Sequence, residues 1–329
     1  MTPPASPQSM NDAARGIGFI LLGMLAISVN DMLIKLLSGG YPLHQMVFVR
    51  SAIGICFTLV FVKLEGGFAV LRVDRPALHV LRGFLVVVAN MTFFAALAVL
   101  PLAEATALFF AAPLFITLLS IPILGERVGP WRIGAVLAGF AGVLVMLRPW
   151  QGELDVPRIV LVLPVLAALT YSLMQLLTRK LGVTARASAM ALFIQGTFLV
   201  VSSGFFLVAG DGRFAEGLDN ESLVFLFRAW ILPEGRDILL FLALGAASGV
   251  IGYSLSAAYR AADVATIAPF EYAALPLALV WGWLVFGEWP SGPVWVGITL
   301  IAGAGLFVFL RERTKNRPLA SRTRVRRRY

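Results

Sequence analysis

Charged side chains that fall inside long apolar runs are the residues of this sequence most able to do chemistry. Asp31 and Lys35 lie four positions apart in the first such run, so in a helix they share one face. Arg50 lies inside the second run, and Glu104 lies at the start of the fourth. A charge at the centre of a membrane helix costs about 2.5 to 3.5 kcal/mol on insertion scales, so each should face the protein interior and have a partner. These four residues therefore form either an ion network that locks helices together or part of a path for a charged or zwitterionic solute.

Glu271 differs from these four residues because no basic residue of the sequence is expected at a similar depth. It falls about 9 Å inside the ninth apolar run, counted along a helix axis. A carboxyl group in this setting can take up and release a proton, which makes Glu271 the candidate for proton coupling. The alternative is a neutral glutamic acid that is hydrogen-bonded to a neighbouring helix or faces a wet vestibule.

Uncharged polar side chains inside the same runs are further candidates for contact with a solute. They are Asn30, Asn90, Gln175, Tyr253 and Tyr272. Each can equally form an interhelical hydrogen bond, which stabilises the packing of membrane helices by about 0.6 kcal/mol. Pro113 and Pro276 fall at matching places in the fourth and ninth runs, where a proline frees a backbone carbonyl or kinks the helix. We expect these two prolines to act as hinges.

The composition defines the class of protein that carries these residues. Of 329 residues, 59% are hydrophobic and 14% are charged, whereas about a quarter are charged in soluble domains. A water-soluble enzyme is therefore excluded. A single cysteine and two histidines exclude an internal disulfide and a zinc site with four Cys and His ligands. We expect no metal and no cofactor.

Ten apolar runs are long enough to cross a membrane as helices, which takes about 20 residues each. The sequence therefore predicts an all-α polytopic membrane protein with ten transmembrane helices. The predicted helices are residues 16–37, 45–62, 77–98, 103–124, 130–147, 158–178, 188–209, 237–258, 265–286 and 292–310.

The distribution of lysine and arginine predicts the orientation of these helices. Basic residues concentrate in every second connection and in the tail 311–329, and such connections stay on the cytoplasmic side. We therefore expect both termini in the cytoplasm and the helices in a bacterial-type inner membrane. Residues 1–15 are expected to be disordered. The tail is expected to contact anionic lipid headgroups, so the net charge of +9 does not indicate a nucleic-acid partner.

An internal repeat links the two halves of the chain. Four short segments of the first half, Ala-Thr-Ala-Leu, Ala-Pro-Leu, Leu-Gly-Glu and Gly-Pro-Trp, recur in the same order within residues 265–295 in slightly altered form. With five helices in each unit, the second copy must enter the membrane in the opposite sense to the first. The sequence thus predicts inverted repeats at residues 16–147 and 158–310, with a solute site between them and alternating access by rocking of the halves.

A longer pattern carries a resemblance to a known family. It consists of Ala-Val-Leu-Pro-Leu-Ala-Glu-Ala-Thr-Ala-Leu-Phe-Phe-Ala-Ala-Pro-Leu-Phe at 98–115, Leu-Gly-Glu-Arg at 124–127, a weaker echo at 262–288, and Ile-Lys and Phe-Val-Arg at 34–35 and 48–50. This pattern resembles the EamA-type members of the drug/metabolite transporter superfamily, whose ten-helix members carry two five-helix units. The resemblance implies a secondary transporter of a small organic metabolite and no enzymatic activity.

The resemblance also implies a range of substrate classes, because members of this family move amino acids, nucleotide-sugar-like solutes, S-adenosylmethionine and other metabolites. We predict export of an amino acid or amino-acid derivative, with uptake or exchange of an S-adenosylmethionine-like solute as the alternative. An intramembrane transferase is the competing class, but the sequence contains no His-Glu-x-x-His, no phosphate-binding Gly-x-x-x-x-Gly-Lys-Ser/Thr loop and no Asp-rich metal cluster. A channel is disfavoured because the sequence has no filter-like run and no ring of charges.

Overall fold

The computed structural model describes residues 7–72, 76–126, 128–151, 156–181, 187–261 and 268–314. The described residues form α-helices, two 3-10 helices and connecting turns, without a strand. The 3-10 helices are Gly67–Leu71 and Ala268–Ala273. The α-helices are α1 (Pro7–Leu37), α2 (Leu43–Glu65), α3 (Pro76–Leu97), α4 (Leu102–Phe109), α5 (Ala112–Leu124), α6 (Pro130–Leu147), α7 (Arg158–Leu181), α8 (Ala187–Ala209), α9 (Glu221–Phe227), α10 (Arg236–Ala261), α11 (Ala274–Phe286) and α12 (Gly292–Thr314).

The predicted all-α polytopic membrane fold is confirmed. Eight helical spans of the described residues are long and apolar enough to cross a membrane, and two shorter apolar helices, Phe270–Phe286 and Gly292–Val308, follow them. One of the eight, Leu102–Leu124, is built from α4 and α5 together. The start of the predicted ninth helix, residues 265–267, lies outside the described residues.

The beginning of the chain differs from the prediction of a disordered segment at 1–15. Helix α1 begins at Pro7, so residues 7–15 are helical, while residues 1–6 lie outside the described residues. Proline is tolerated in the first turn of a helix, and residues 8–15 contain neither glycine nor proline to interrupt it. The first four residues of the predicted basic tail, 311–314, belong to α12, which ends at Thr314. Residues 315–329 lie outside the described residues.

Two of the membrane spans are broken, and the breaks match. Helix α4 ends before Phe110, and α5 restarts at Ala112; in the second half the 3-10 helix ends at Ala273, and α11 restarts at Ala274. Pro113 and Pro276 lie in the first turn of α5 and α11, where a missing N–H costs no helical hydrogen bond. The prolines therefore mark where a helix restarts and do not kink the middle of one.

The far ends of α5 and α11 are also alike. Both helices have 13 residues and end at a left-handed glycine, Gly125 at φ 70° and Gly287 at φ 67°. The following glutamate then donates its backbone N–H to the carbonyl six residues earlier, at 3.3 Å for Glu126 and 2.9 Å for Glu288. Only glycine takes this conformation without a steric penalty, which explains the glycine of the repeated pair.

Helices of the first half pack mainly against helices of the second. Helix α1 lies along α10 and α3 along α7, while α2 packs on α8 and α6 on α12. The contact of α6 with α12 is close because glycines meet there: a side chain at Gly297 would collide with Met146, and one at Gly142 would press on Leu300. Such small-residue contacts are typical of membrane helix pairs, which gain little from the hydrophobic effect.

Candidate functional site

Two ends of the helix bundle serve as reference points for the polar residues. The Leu37 face is the end where α1, α3 and α6 finish and α2, α4 and α7 begin. The Pro76 face is the opposite end, where α3, α6 and α8 begin. The predicted orientation makes the Leu37 face the outer one.

Four of the predicted residues form one network about 10 Å inside the Leu37 face, as counted along their helices. Arg50 on α2 donates to the amide oxygen of Asn30 on α1 at 3.2 Å and to that of Asn90 on α3 at 3.3 Å. The amide nitrogen of Asn30 donates to the Asp31 carboxylate at 3.0 Å. Asn30 thus links the positive and the negative charge, and we call these four residues the amide network.

The guanidinium of Arg50 is enclosed from both halves of the chain. It lies 5.6 Å from the ring centre of Phe94 on α3 and 5.3 Å from that of Phe198 on α8, and the residue is 7% exposed. Buried arginine is stabilised when its N–H groups meet acceptors and its face meets aromatic rings. Arg50 has both kinds of contact.

Lys35 has a different partner from the one its spacing suggested. Its Nζ forms an ion pair with Glu288 at 2.9 Å and donates to the backbone oxygens of Leu97 and Leu100 at 3.3 and 2.5 Å. Glu288 also accepts from the backbone N–H of Leu102 at 2.9 Å. The pair joins the end of α1 to the end of α11, and it satisfies backbone groups that the ends of α3 and α4 leave open.

Other contacts between the two halves surround this ion pair at the Leu37 face. Tyr41 donates to Asp237 at 2.7 Å, and this bond raises the pKa of Tyr41 because ionisation would break it and place two negative charges together. Arg148 donates to Ser291 at 2.8 Å. Polar contacts between the halves therefore close this face in several places.

Glu104, which was predicted near Asp31 and Arg50, lies elsewhere at the same face. It is partly buried in the first turn of α4, and the charge that acts on it is that of Arg148 at the end of α6. A carboxylate in the first turn of a helix also interacts favourably with the helix dipole. The amide network forms without Glu104.

A series of aromatic rings leads from the amide network toward the Pro76 face. The ring centres of Phe94 and Phe93 are 5.4 Å apart, those of Phe93 and Phe109 5.3 Å, and those of Phe109 and Tyr171 5.5 Å. The hydroxyl of Tyr171 accepts from the side chain of Gln175 at 2.8 Å. We call Phe94, Phe93, Phe109 and Tyr171 the aromatic ladder; it runs alongside the break between α4 and α5.

Glu271 and Tyr272 lie in the 3-10 helix that precedes α11. Glu271 is partly buried and acts electrostatically on both Tyr171 and Tyr272. The ring of Tyr272 packs against Phe110 at 5.0 Å, and its hydroxyl lies against Gly305 of α12. The predicted proton-coupling residue therefore lies within electrostatic range of Tyr171, the last ring of the aromatic ladder.

Tyr253 lies apart from the other predicted residues. It is 40% exposed on α10, where it packs between Phe19 and Phe61. A polar contact within the second half lies instead between Gln195 on α8 and Ser248 on α10, at 3.4 Å.

One basic residue inside a span, Arg82, was given no role at the level of sequence. Its depth in α3, about 9 Å from the first residue, overturns the expectation that no basic residue lies at the depth of Glu271. Arg82 on α3 is 7% exposed and acts electrostatically on Tyr171. Its position inside an apolar run was the available signal, as it was for Arg50. Within the described ranges, no three His, Cys, Asp or Glu side chains lie close enough together to hold a metal ion.

The helical bundle, with charged and amide side chains buried between its halves, defines a polytopic membrane protein with a polar interior. The model of the EamA-like transporter family matches residues 14–148. The chain is 32% identical over 302 residues to a riboflavin transporter of Rhizobium johnstonii, covering 92% of this chain and 90% of that protein. It is 27% identical to an S-adenosylmethionine uptake transporter of Rickettsia prowazekii, covering 92% and 97%.

A solved crystal structure shares the fold, with a TM-score of 0.61 at 22% identity over 91% of this chain and 99% of that one. The chain belongs to the EamA-like transporter family. It is a membrane transporter of a small metabolite and not an enzyme.

Proposed function

We propose that this transporter carries a planar, ring-bearing metabolite of the riboflavin type into the cell. The aromatic ladder is the observation that carries the proposal. The four rings have centres 5.3 to 5.5 Å apart along the axis of the bundle, with Phe94 and Phe93 buried in the core and Phe109 and Tyr171 partly buried. In this proposal a flat solute stacks on the two partly buried rings. The similarity to a riboflavin transporter over 92% of the chain supports the same substrate class.

Polar groups stand at both ends of this ladder. Arg50 lies against Phe94 at one end, and Gln175 binds the hydroxyl of Tyr171 at the other. A heteroaromatic solute with a hydroxylated chain needs apolar walls and a few directed hydrogen-bonding groups, which is the usual composition of a small-molecule site.

The proposed mechanism is alternating access between inverted repeats at 16–147 and 158–310. Two observations support it: the matched breaks before α5 and α11, and the packing of each half's helices mainly against helices of the other half. Pro113 and Pro276, at the restart of α5 and α11, are the proposed hinges. In this scheme both termini are cytoplasmic in the inner membrane, the Leu37 face is the outer one, and the basic tail contacts anionic lipid.

A second candidate is export of an amino acid or amino-acid derivative. The amide network favours it, because Arg50 and Asp31, linked through Asn30, present groups of opposite charge, as the binding of a zwitterion requires. An S-adenosylmethionine-like solute combines both features, since it has a planar ring and an amino-acid group. All three solutes therefore belong in one test.

The test is uptake of labelled riboflavin, S-adenosylmethionine and a panel of amino acids into proteoliposomes containing the full chain. We expect saturable accumulation of riboflavin. Tyr171→Leu removes a ladder ring and should reduce uptake at least tenfold, whereas Tyr171→Phe keeps the ring and should retain most of the activity. Saturable movement of an amino acid without riboflavin uptake, by protein that is folded on gel filtration, would instead support the second candidate.

Proton coupling through Glu271 is tested in the same vesicles. With a pH gradient imposed, we expect the intact protein to accumulate solute faster and Glu271→Gln to lose that acceleration while still exchanging solute at equal pH. Equal responses of the two proteins to the gradient would assign Glu271 to helix packing.

A further inference from the structure

Arg82 differs from the other basic residues that lie deep in the spans of the first half. Lys35 is held by Glu288 and two carbonyl oxygens, and Arg50 by two amide oxygens and two rings. Arg82 lies six residues inside α3, about 9 Å from its first residue. In the part of the chain that the structure describes, its side chain forms no hydrogen bond or ion pair, and its Nε is buried without a partner.

His79, one turn earlier on the same face of α3, shares this condition. Its side chain is buried and stacks on Phe193 of α8 at 5.5 Å, while its Nδ1 is buried without a partner. Helices α3 and α8 approach closely here, because a side chain at Gly83 would collide with Thr197. The pair is therefore held in place by packing and not by hydrogen bonds of its own.

An arginine that is 7% exposed inside a membrane span is costly unless its N–H groups meet acceptors. Where protein acceptors are absent, the remaining sources are water in a pathway or the solute itself. The position of Arg82 favours the pathway, because Tyr171 acts electrostatically on it and Tyr171 is the last ring of the aromatic ladder.

We propose that Arg82, with His79 beside it, binds the oxygen-rich acceptor edge of the transported solute at the Pro76 end of the aromatic ladder. A guanidinium presents a planar fork of donors, which suits the carbonyl edge of a ring such as that of riboflavin, or a carboxylate. The ladder holds the ring faces, and Arg82 selects rings that carry acceptors at this edge. This inference rests on the proposed function in that the solute is the transported one.

The first test measures binding of riboflavin and of lumiflavin, which has the same ring with a methyl group in place of the ribityl chain. Full-length protein in detergent is compared with Arg82→Gln, Arg82→Lys and Lys63→Gln. The control Lys63→Gln removes an exposed charge near the end of α2, at the same face of the bundle. The readouts are the Kd of each flavin and the melting temperature of the unliganded protein.

We expect Arg82→Gln to raise the Kd of both flavins by the same factor, about 10- to 100-fold, as for loss of hydrogen bonds to a charged donor. Arg82→Lys should give a smaller increase, because it keeps the charge without the fork, and Lys63→Gln should give none. The unliganded Arg82→Gln protein should melt close to the intact one, since no hydrogen bond or ion pair to the described residues is lost and glutamine retains part of the packing. A loss confined to riboflavin would place Arg82 on the ribityl chain and overturn the assignment to the ring edge.

The outcome separates this inference from the proposed function. If the intact protein binds neither flavin, the riboflavin-type function fails, and the melting temperature is then measured with S-adenosylmethionine, with amino acids and with inorganic phosphate at constant ionic strength. A solute-dependent rise that Arg82→Gln abolishes would keep Arg82 as an acceptor-binding residue for another substrate class. Equal rises in both proteins, or none in either, would overturn it.

Repeating the measurement in nanodiscs of phosphatidylcholine and of phosphatidylglycerol separates binding of a solute from binding of a lipid headgroup. Headgroup binding would appear only with the anionic lipid, phosphatidylglycerol. That result would count against the proposal.

Discussion

Buried charged groups have polar partners at the Leu37 face and lack them around Arg82, among the residues that the structure describes. At the Leu37 face, Lys35 has an ion partner and two carbonyl acceptors, and contacts such as Tyr41 with Asp237 join the two halves of the chain. Around Arg82, buried polar atoms lack partners among the described residues. The first arrangement holds the halves together, whereas the second leaves donors available for a solute.

Under the proposed function, this contrast separates charges that hold helices together from charges that act on substrate. A satisfied ion pair stabilises one arrangement of the helices, and in the proposed alternating-access mechanism it breaks when the halves rearrange. An unsatisfied group does not stabilise the arrangement, so its retention calls for another reason. Variants at the two regions should therefore differ in kind: those at the Leu37 face alter stability, and those at Arg82 alter binding.

The largest effect is expected from Lys35→Met, which leaves Glu288 and two carbonyl oxygens without their cation. We expect the free energy of unfolding to fall by about 2 to 3 kcal/mol. This is below the range for breaking a fully buried pair, because the side chain of Glu288 is 24% exposed. Denaturant unfolding in mixed micelles measures it. Glu288→Gln and the double variant complete a cycle that isolates the pair energy.

The matched control for this ion pair is the exposed pair of Arg213 and Asp211, 3.8 Å apart with side chains 60% and 62% exposed. Arg213→Met should leave stability unchanged within error, because exposed pairs contribute little. A Lys35→Met protein as stable as the Arg213→Met protein would contradict the structural role of the Leu37 face.

A smaller effect is expected from Gly305→Ala, which tests the polar region at the other end of the ladder. The added methyl group would collide with the hydroxyl of Tyr272, and overpacking of this kind costs about 1 to 3 kcal/mol. Gly303→Ala, two residues earlier on α12, meets open space and should be neutral or slightly stabilising, since alanine favours a helix.

The Gly305→Ala protein should also transport less, because Tyr272 adjoins Glu271. Initial uptake rates in proteoliposomes and melting temperatures of both alanine variants measure the two effects. If the two alanine variants had the same uptake rate and the same melting temperature, the Tyr272 hydroxyl would not lie against α12.

The smallest effect is expected from Tyr41→Phe, which removes a single hydrogen bond worth about 1 kcal/mol at the Leu37 face. The raised pKa of Tyr41 means that the bond stabilises the fold while the phenol is protonated and is lost as the pH rises through that pKa. The difference in melting temperature between intact and variant protein should therefore be present at pH 8 and vanish at strongly alkaline pH. A difference that persists there would contradict the bond as its source.

Much of the fold was predictable because membrane insertion constrains the sequence strongly. Each span needs about 20 apolar residues, so the spans were located to within a few residues, apart from the extension of α1 to Pro7. The repeated Gly-Glu pair predicted matching helix ends, since the left-handed conformation at Gly125 and Gly287 needs glycine. Both signals are local in the chain.

The site was only partly predictable, because it depends on contacts between distant segments. Helical spacing placed Asp31 and Lys35 on one face, yet Lys35 pairs with Glu288 from the other half, and Asn30 lies between Asp31 and Arg50. The aromatic ladder joins residues of α3, α4 and α7. No spacing within one helix reveals such neighbours.

The sequence by itself determined the class of protein, the course of its spans and the presence of costly charges within them, because apolar length and charge distribution alone govern insertion into a bilayer. Only the tertiary structure decided which of those charges are satisfied. Lys35 and Arg50 found partners on other helices, and Arg82 found none among the described residues, because each helix presents its polar groups to neighbours that the chain brings together only after packing.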